Sequence, residues 1–241
     1  MTFSTFEHPV PQSLGNDDLT LDPGFVCDSC NQYFGSKVEA KVLGTPPFVV
    51  DRLRVNVPTK KGKPPRLSHP PHVELFATPF RNQLVMAASP EIWSSVKKEG
   101  MLVLPRDASI DFLTTRMLIK IGLELLLVSS KRDSYDSQFD RARAFARFPS
   151  LGSHWEIAFG QYPSELDLQI SRREDELSPL ITEQLYRYEM GEMLNGDIVL
   201  SFMFLSNVFA CNLVRPSISD YSKQFNLRNT FSLREIVVTC N

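Results

Sequence analysis

The sequence predicts an α+β protein. A small module over residues 1–43 precedes a strand and basic Pro-rich linker over 44–71, and a larger mixed α+β domain spans 72–241. Three observations point there. Ile110, Leu113, Met117, Ile121, Leu125 and Val128 recur every three to four residues, the period of a helix face. The apolar run Ile198–Val214 is broken at Ser206-Asn207, as two buried strands joined by a turn are. Pro9–Gly24 is dense in Pro, Gly, Asn and Asp, the chemistry of turns, and sets the first module apart. With 42% hydrophobic and 22% charged residues the chain has ordinary globular composition, which excludes a wholly disordered or collagen-like protein.

Each element follows from local pattern. Phe25–Cys27 is a short apolar run fit for a strand entering a tight Cys-x-x-Cys turn. Phe34, Val38 and Val42, four apart, form one face of a helix over Gln32–Leu43. Gly44 and Pro46-Pro47 end it. Residues 48–57 alternate through Val49, Asp51, Leu53, Val55 and Val57, which predicts a strand. Pro58–Pro71 has no period and reads as a loop. From His72 the second domain opens with strands at Val73–Phe76 and Met101–Leu104. Ser109 is placed to cap a helix over 109–130. That helix is apolar nearly all round after Met117, which predicts burial. A second helix covers Ser137–Phe148 and stops at Pro149. Strands are expected at His154–Phe159, Asp197–Leu205, Val208–Val214 and Ser232–Thr239. No internal repeat is present.

Net charge is −2, so the chain as a whole is no general polyanion binder, but its charge is unevenly placed. Residues 1–30 hold five acidic residues and no Lys or Arg, whereas residues 31–72 hold eight basic residues against two acidic ones. Such adjacency fits a cation site beside a phosphate-binding surface, or two solvated loops that neutralise each other. No basic-then-apolar leader opens the chain, so a reducing cytoplasmic setting is expected for Cys27, Cys30, Cys211 and Cys240. Two strands are favoured over a membrane span at Ile198–Val214, and no membrane partner is expected.

Two constellations could carry chemistry. Cys27-Asp28-Ser29-Cys30 offers two thiolates at the spacing of two corners of a tetrahedral zinc site. A redox pair and a knuckle-shaped turn with two buried thiols are the alternatives. Glu7, His8 and Asn31 together offer a hard oxygen ligand, a base of near-neutral pKa and an amide oxygen. His69 and His72 read as loop residues, and His154 as a strand residue beside Trp155.

The order Glu-His-x-x-Pro-x-Ser-Leu-Gly, then a dozen loop residues, then Val-Cys-x-x-Cys-Asn-x-x-Phe-Gly-Ser-Lys-Val-Glu, resembles the HNH, or ββα-metal, endonuclease family. The likeness is to bacterial members whose zinc knuckle leads into the catalytic helix. It covers about residues 3–43. The resemblance implies a two-stranded hairpin and a helix around one divalent metal, Mg²⁺ or Mn²⁺. It makes His8 the general base, Glu7 and Asn31 metal ligands, and Cys27 and Cys30 half of a structural Zn²⁺ site. The family's upstream Cys-x-x-Cys has no counterpart in the residues before His8. Glu39 is a possible substitute for a third ligand on the helix. The segment Leu113–Phe148 bears a looser likeness to the region behind the knuckle in such proteins.

The expected function is a metal-dependent endonuclease that hydrolyses DNA phosphodiester bonds. Lys60, Lys61 and Lys63 would hold the phosphate backbone, which gives affinity without sequence choice. The alternative is a catalytically degenerate protein of the same ancestry that binds nucleic acid or a partner. A redox Cys-x-x-Cys protein is the third reading.

Overall fold

Glu7 and Leu21 exchange both of their backbone hydrogen bonds, at 3.1 and 2.8 Å, and so form a single antiparallel bridge. The two-stranded hairpin that the resemblance implies is reduced to this pair among the described residues. The loop between its halves is held from inside by Asn16. Its side-chain amide donates to Val10 O and Leu19 O, and its Oδ1 accepts from Leu19 N and the Tyr186 hydroxyl. Gly15 sits at φ +83°, a conformation that suits Gly, and a Cβ there would stand 3.1 Å from Leu185 Cδ1.

The computed structural model describes residues 1–69, 73–78, 84–105, 109–129, 135–150, 153–161, 185–219 and 235–239. His72, where the second domain was expected to open, Cys240, and residues 232–234 of the last expected strand lie outside them.

Helix begins earlier than its apolar face indicates. Helix α1 (Asp28–Tyr33) runs into a π-helical stretch, Phe34–Glu39, and then into α2 (Ala40–Leu43). Cys27 is the N-cap, and its carbonyl accepts from the amides of Cys30 and Asn31. No strand forms at 25–27: the chain bends there and delivers Cys27 directly to the helix start. Asp28 ties the helix to the N-terminal segment by accepting from the amides and hydroxyls of Ser4 and Thr5. The Thr2 hydroxyl, with those of Ser4 and Thr5, holds the Asp28 carboxyl well below the usual carboxylate range.

Residues 48–57 do not form the expected strand. Helix α3 (Phe48–Arg54) occupies them, preceded by Pro46-Pro47. Alternation and helical spacing coincide over so short a run, and tertiary packing decides between them. Phe48 joins one apolar cluster while Val49 and Leu53 join another. Strand β1 (Arg66–His69) pairs antiparallel with β2 (Val73–Ala77), which pairs with β3 (Leu84–Ala88). The end of the expected Pro-rich loop is therefore an edge strand, and His69 lies in it opposite Val73. Helix α4 (Pro90–Glu99) starts at Ser89, whose hydroxyl accepts from Ile92 N. Strand β4 (Met101–Pro105) pairs with β9 (Glu235–Thr239), as the sequence-based strands at both places anticipate.

Helix α5 (Ser109–Ser129) is the longest element and is almost wholly buried from Thr114 to Leu126. A short 3-10 turn at Ser137–Phe139 leads into α6 (Asp140–Arg147), packed on α5. Strands β5 (Ala158–Gln161), β6 (Tyr186–Glu192), β7 (Ile198–Phe204) and β8 (Asn207–Asn212) form an antiparallel sheet of order β5-β8-β7-β6. β7 and β8 turn at Leu205-Ser206, where the sequence places the break. The expected strand over 154–159 is displaced. Residues 153–157 run instead along the chain after β8, with the Trp155 indole donating to Asn212 O and Glu156 N to Pro216 O. His154 is exposed and outside the strand. Gly122 brings α5 close to this sheet: a Cβ there would stand 2.6 Å from Leu213 Cδ2.

The architecture is thus α+β with antiparallel sheets, as the sequence indicates. The division at residues 43 and 71 is not followed by the core. One apolar cluster joins Val10, Leu14, Phe34, Val38 and Val42 to Met117, Ile121 and Leu125 of α5, and to Phe202 and Phe209 of the four-stranded sheet. A module of about forty residues buries too little apolar surface to stand alone, and this one shares the core of the larger part. A second cluster joins Val49 and Leu53 to Leu67, Val73, Leu75, Val96 and Leu102, across the other expected boundary. Among the described residues no helix is long and apolar enough to cross a membrane.

Candidate active site

His8 follows the bridged Glu7, and the two neighbours face different surroundings, as strand geometry requires. Glu7 is only 6% exposed. Its Oε1 accepts from Lys120 Nζ at 2.5 Å, and the same ammonium lies 3.1 Å from Glu39 Oε1 and 3.1 Å from Glu124 Oε2. Lys120 also donates to the His8 carbonyl at 3.1 Å. One buried cation therefore fastens the first segment, the helix after Asn31 and α5 at a single point. Burial acts to strip Lys120 of its proton, but Glu124, Glu39 and Glu7 outweigh it and hold its pKa well above the ordinary lysine value. Burial pushes Glu124 well above the usual carboxylate range, with Lys120 opposing. Three carboxyl groups from three parts of the chain surround one ammonium.

His8 is half-buried, and its Nδ1 is enclosed without a hydrogen-bond partner. Its pKa lies below the ordinary 6.5, first through burial and then through the nearby Lys60 ammonium; Glu7 opposes this. Burial and Lys60 thus favour the neutral imidazole. Asn31 uses Nδ2 to donate to Thr5 Oγ1 and Phe6 O, both at 3.2 Å, which fixes the amide and leaves Oδ1 as an acceptor.

A cavity of about 1370 Å³ is lined by Glu7, His8, Asn31 and Glu39 and by Lys60, Lys61 and Lys63. The basic residues arrive on a tight turn. Thr59 and Lys63 exchange hydrogen bonds across it, and Gly62 closes it at φ +70°. The structure thus brings together on one cavity the three residues of the first segment and helix with the three lysines, far apart in sequence. Cys27 and Cys30 are not among its lining residues.

Hard oxygen donors line the wall: Asn31 offers an amide oxygen, and Glu7 and Glu39 bring carboxylates, but Lys120 already engages Glu7 Oε1 and, among the described residues, no group of three His, Cys, Asp or Glu gathers to hold a metal. The thiols fit a closed zinc site poorly. Cys27 is buried with Sγ 3.2 Å from Ser29 Oγ, which holds its pKa down, while burial raises that of Cys30. The pair supplies two corners of a tetrahedron and, among the described residues, no more. Cys211 is fully buried far along the chain, and burial pushes its thiol strongly up.

Comparison of the chain with protein-family models, curated proteins and solved structures finds no match. Sequence reasoning missed Lys120, Glu124 and Arg52. The first two carried a signal: a Lys and a Glu four apart inside a helix apolar on every side must find partners within the core.

Proposed function

We propose that the chain is a metal-dependent endonuclease that hydrolyses DNA phosphodiester bonds, with His8 as general base. The observation that supports this best is that His8, its pKa lowered by burial, lines one cavity with Asn31, two carboxylates and a lysine turn. Glu7 and Asn31 are the residues that would hold Mg²⁺ or Mn²⁺, with Glu39 beside them. When bound, such an ion would supply charge cancellation on the phosphorus oxygens and on the leaving oxygen. The His8 imidazole takes a proton from water as the water oxygen bonds to phosphorus. The bond from phosphorus to the leaving oxygen breaks, and that oxygen takes up a proton from solvent. Lys60, Lys61 and Lys63 hold flanking phosphates. The Lys120 hydrogen bond to the His8 carbonyl fixes the imidazole's backbone. A plasmid-nicking assay with Mg²⁺ or Mn²⁺, comparing wild type with His8→Ala, tests the assignment; no nicking by the wild type, or equal nicking by both, overturns it.

Two further outcomes are expected. Lys60, Lys61 and Lys63 changed together to Gln weaken DNA binding and lower the steepness of its salt dependence, leaving the metal requirement intact. Each lysine that neutralises a phosphate contributes about 0.9 to the slope of log K against log salt for duplex DNA. Fluorescence anisotropy over a salt series measures this, and an unchanged slope removes the lysines from the interface.

The second outcome concerns pH. His8 must be neutral to act, and its pKa is below 6.5, so the acid limb of kcat/KM lies below pH 6.5. The Lys60→Gln variant moves that limb upward, toward 6.5 but not to it, because burial is the larger cause and remains. An acid limb that stays put separates Lys60 from the base. The same shift makes His8 contribute stability that is present above pH 6.5 and lost as pH falls through its folded value.

A further inference from the structure

Arg52 lies on α3 and is 4% exposed, yet it lines the same cavity as His8. Of its five N–H donors, one on Nη1 goes to Leu43 O at 3.0 Å and one on Nη2 to Val57 O at 3.4 Å. Nε–H is buried without a partner. Among the described residues no carboxylate pairs with this guanidinium. Burial lowers its pKa to about 10. The neighbouring Asp51 is turned elsewhere, to Asn207 and Arg54. The contrast with Lys120 is sharp: that buried cation has three carboxylates, whereas this one has none among the described residues.

An isolated buried cation is costly, and two carbonyl dipoles do not neutralise it. A tie between the end of α2 and the chain after α3 could be made by a neutral side chain. What a guanidinium adds is a fixed fork matched to phosphate oxygens. Lys60, Lys61, Lys63 and Arg66 line the same cavity and add to its positive field.

We propose that Arg52 is the buried anchor of a phosphate subsite in this cavity, taking one phosphate of the nucleic-acid chain beside the bond that is cut. The subsite deepens the nuclease reading, and the location on the cut strand rests on it, but phosphate binding itself does not depend on catalysis.

The test uses the whole chain and reads binding, not turnover. Inorganic phosphate and the dinucleotide dTpdT are titrated against wild type, Arg52→Met, Arg52→Lys and the triple Lys60, Lys61, Lys63 variant, by calorimetry and by thermal shift with chloride as the control salt. Wild type is expected to bind both probes saturably, Arg52→Met to lose the binding, Arg52→Lys to weaken it about tenfold or more, and the triple variant to weaken it without abolishing it. A folded Arg52→Met or Arg52→Lys protein that binds phosphate as wild type does overturns the proposal, as does a wild type with no saturable binding. If Arg52→Met fails to fold, Arg52→Lys, which keeps the charge and loses the fork, decides. Binding of phosphate but not of dTpdT assigns the subsite to free phosphate and overturns its place on the strand. Phosphate binding that survives in a protein without nicking activity leaves the subsite standing while the nuclease reading falls.

Discussion

On the proposed nuclease reading, His8→Ala is expected to lower the rate of metal-dependent DNA nicking by about 10²–10⁴-fold, the contribution typical of a positioned general base. DNA affinity and thermal stability stay near those of wild type. The separation follows from where the side chain sits. His8 is half-buried on a cavity wall, and its Nδ1 makes no hydrogen bond that the fold would miss. Its backbone carbonyl, held by Lys120, is untouched by the substitution. A base that acts on the attacking water stabilises the transition state and adds little to binding of the intact strand, so the loss falls on kcat with KM nearly unchanged. Single-turnover nicking with anisotropy on the same preparation measures both. Equal rates for wild type and His8→Ala would falsify the assignment, and a parallel loss of affinity would make His8 a binding residue.

Lys120→Met lowers stability by about 3–5 kcal/mol, the usual cost of removing one partner from a buried ion pair. For a chain of this size each kcal/mol corresponds to about 2–4 °C in Tm, so a fall of roughly 6–20 °C is expected. Removal of the ammonium leaves Glu7, Glu39 and Glu124 close together with no cation between them. The pH dependence carries the signature. Lys120 has a raised folded pKa, so its contribution is fully present below 10.5 and is lost only as pH rises through the folded value. Glu124, raised by burial, adds stability below about 4.5 that is lost as pH rises through its own folded value. Without Lys120, Glu124 loses the charge that opposes its burial and is raised further, so the deficit shrinks as pH falls from 8 toward 5. Lys120→Met combined with Glu124→Gln recovers part of the loss if the two groups interact. Thermal unfolding of the single and double variants at both pH values measures this. Additive losses with no pH trend would dissolve the cluster as a unit.

The sequence by itself determined the parts that local chemistry governs. The apolar period of 110–128 specified α5, the break at Ser206-Asn207 specified the β7–β8 turn, and the order of Glu7, His8, Cys27, Cys30 and Asn31 singled out the first segment. Tertiary structure decided what depends on distant partners. Residues 48–57 satisfy both periods, and only two separate apolar clusters, reached from opposite sides of one short helix, select α3. The N-terminal segment reads as a module because its turn-rich loop isolates it along the chain; its buried side chains nevertheless close on α5 and the four-stranded sheet. The lysine turn and the first segment share a cavity that no spacing along the chain encodes. Lys120 and Arg52 show why charge is hardest to read from sequence. Each is a basic residue buried on a helix, and the energy of a buried charge is set by what stands opposite it. For Lys120 that is three carboxylates from three parts of the chain, and for Arg52 it is two carbonyls and a cavity.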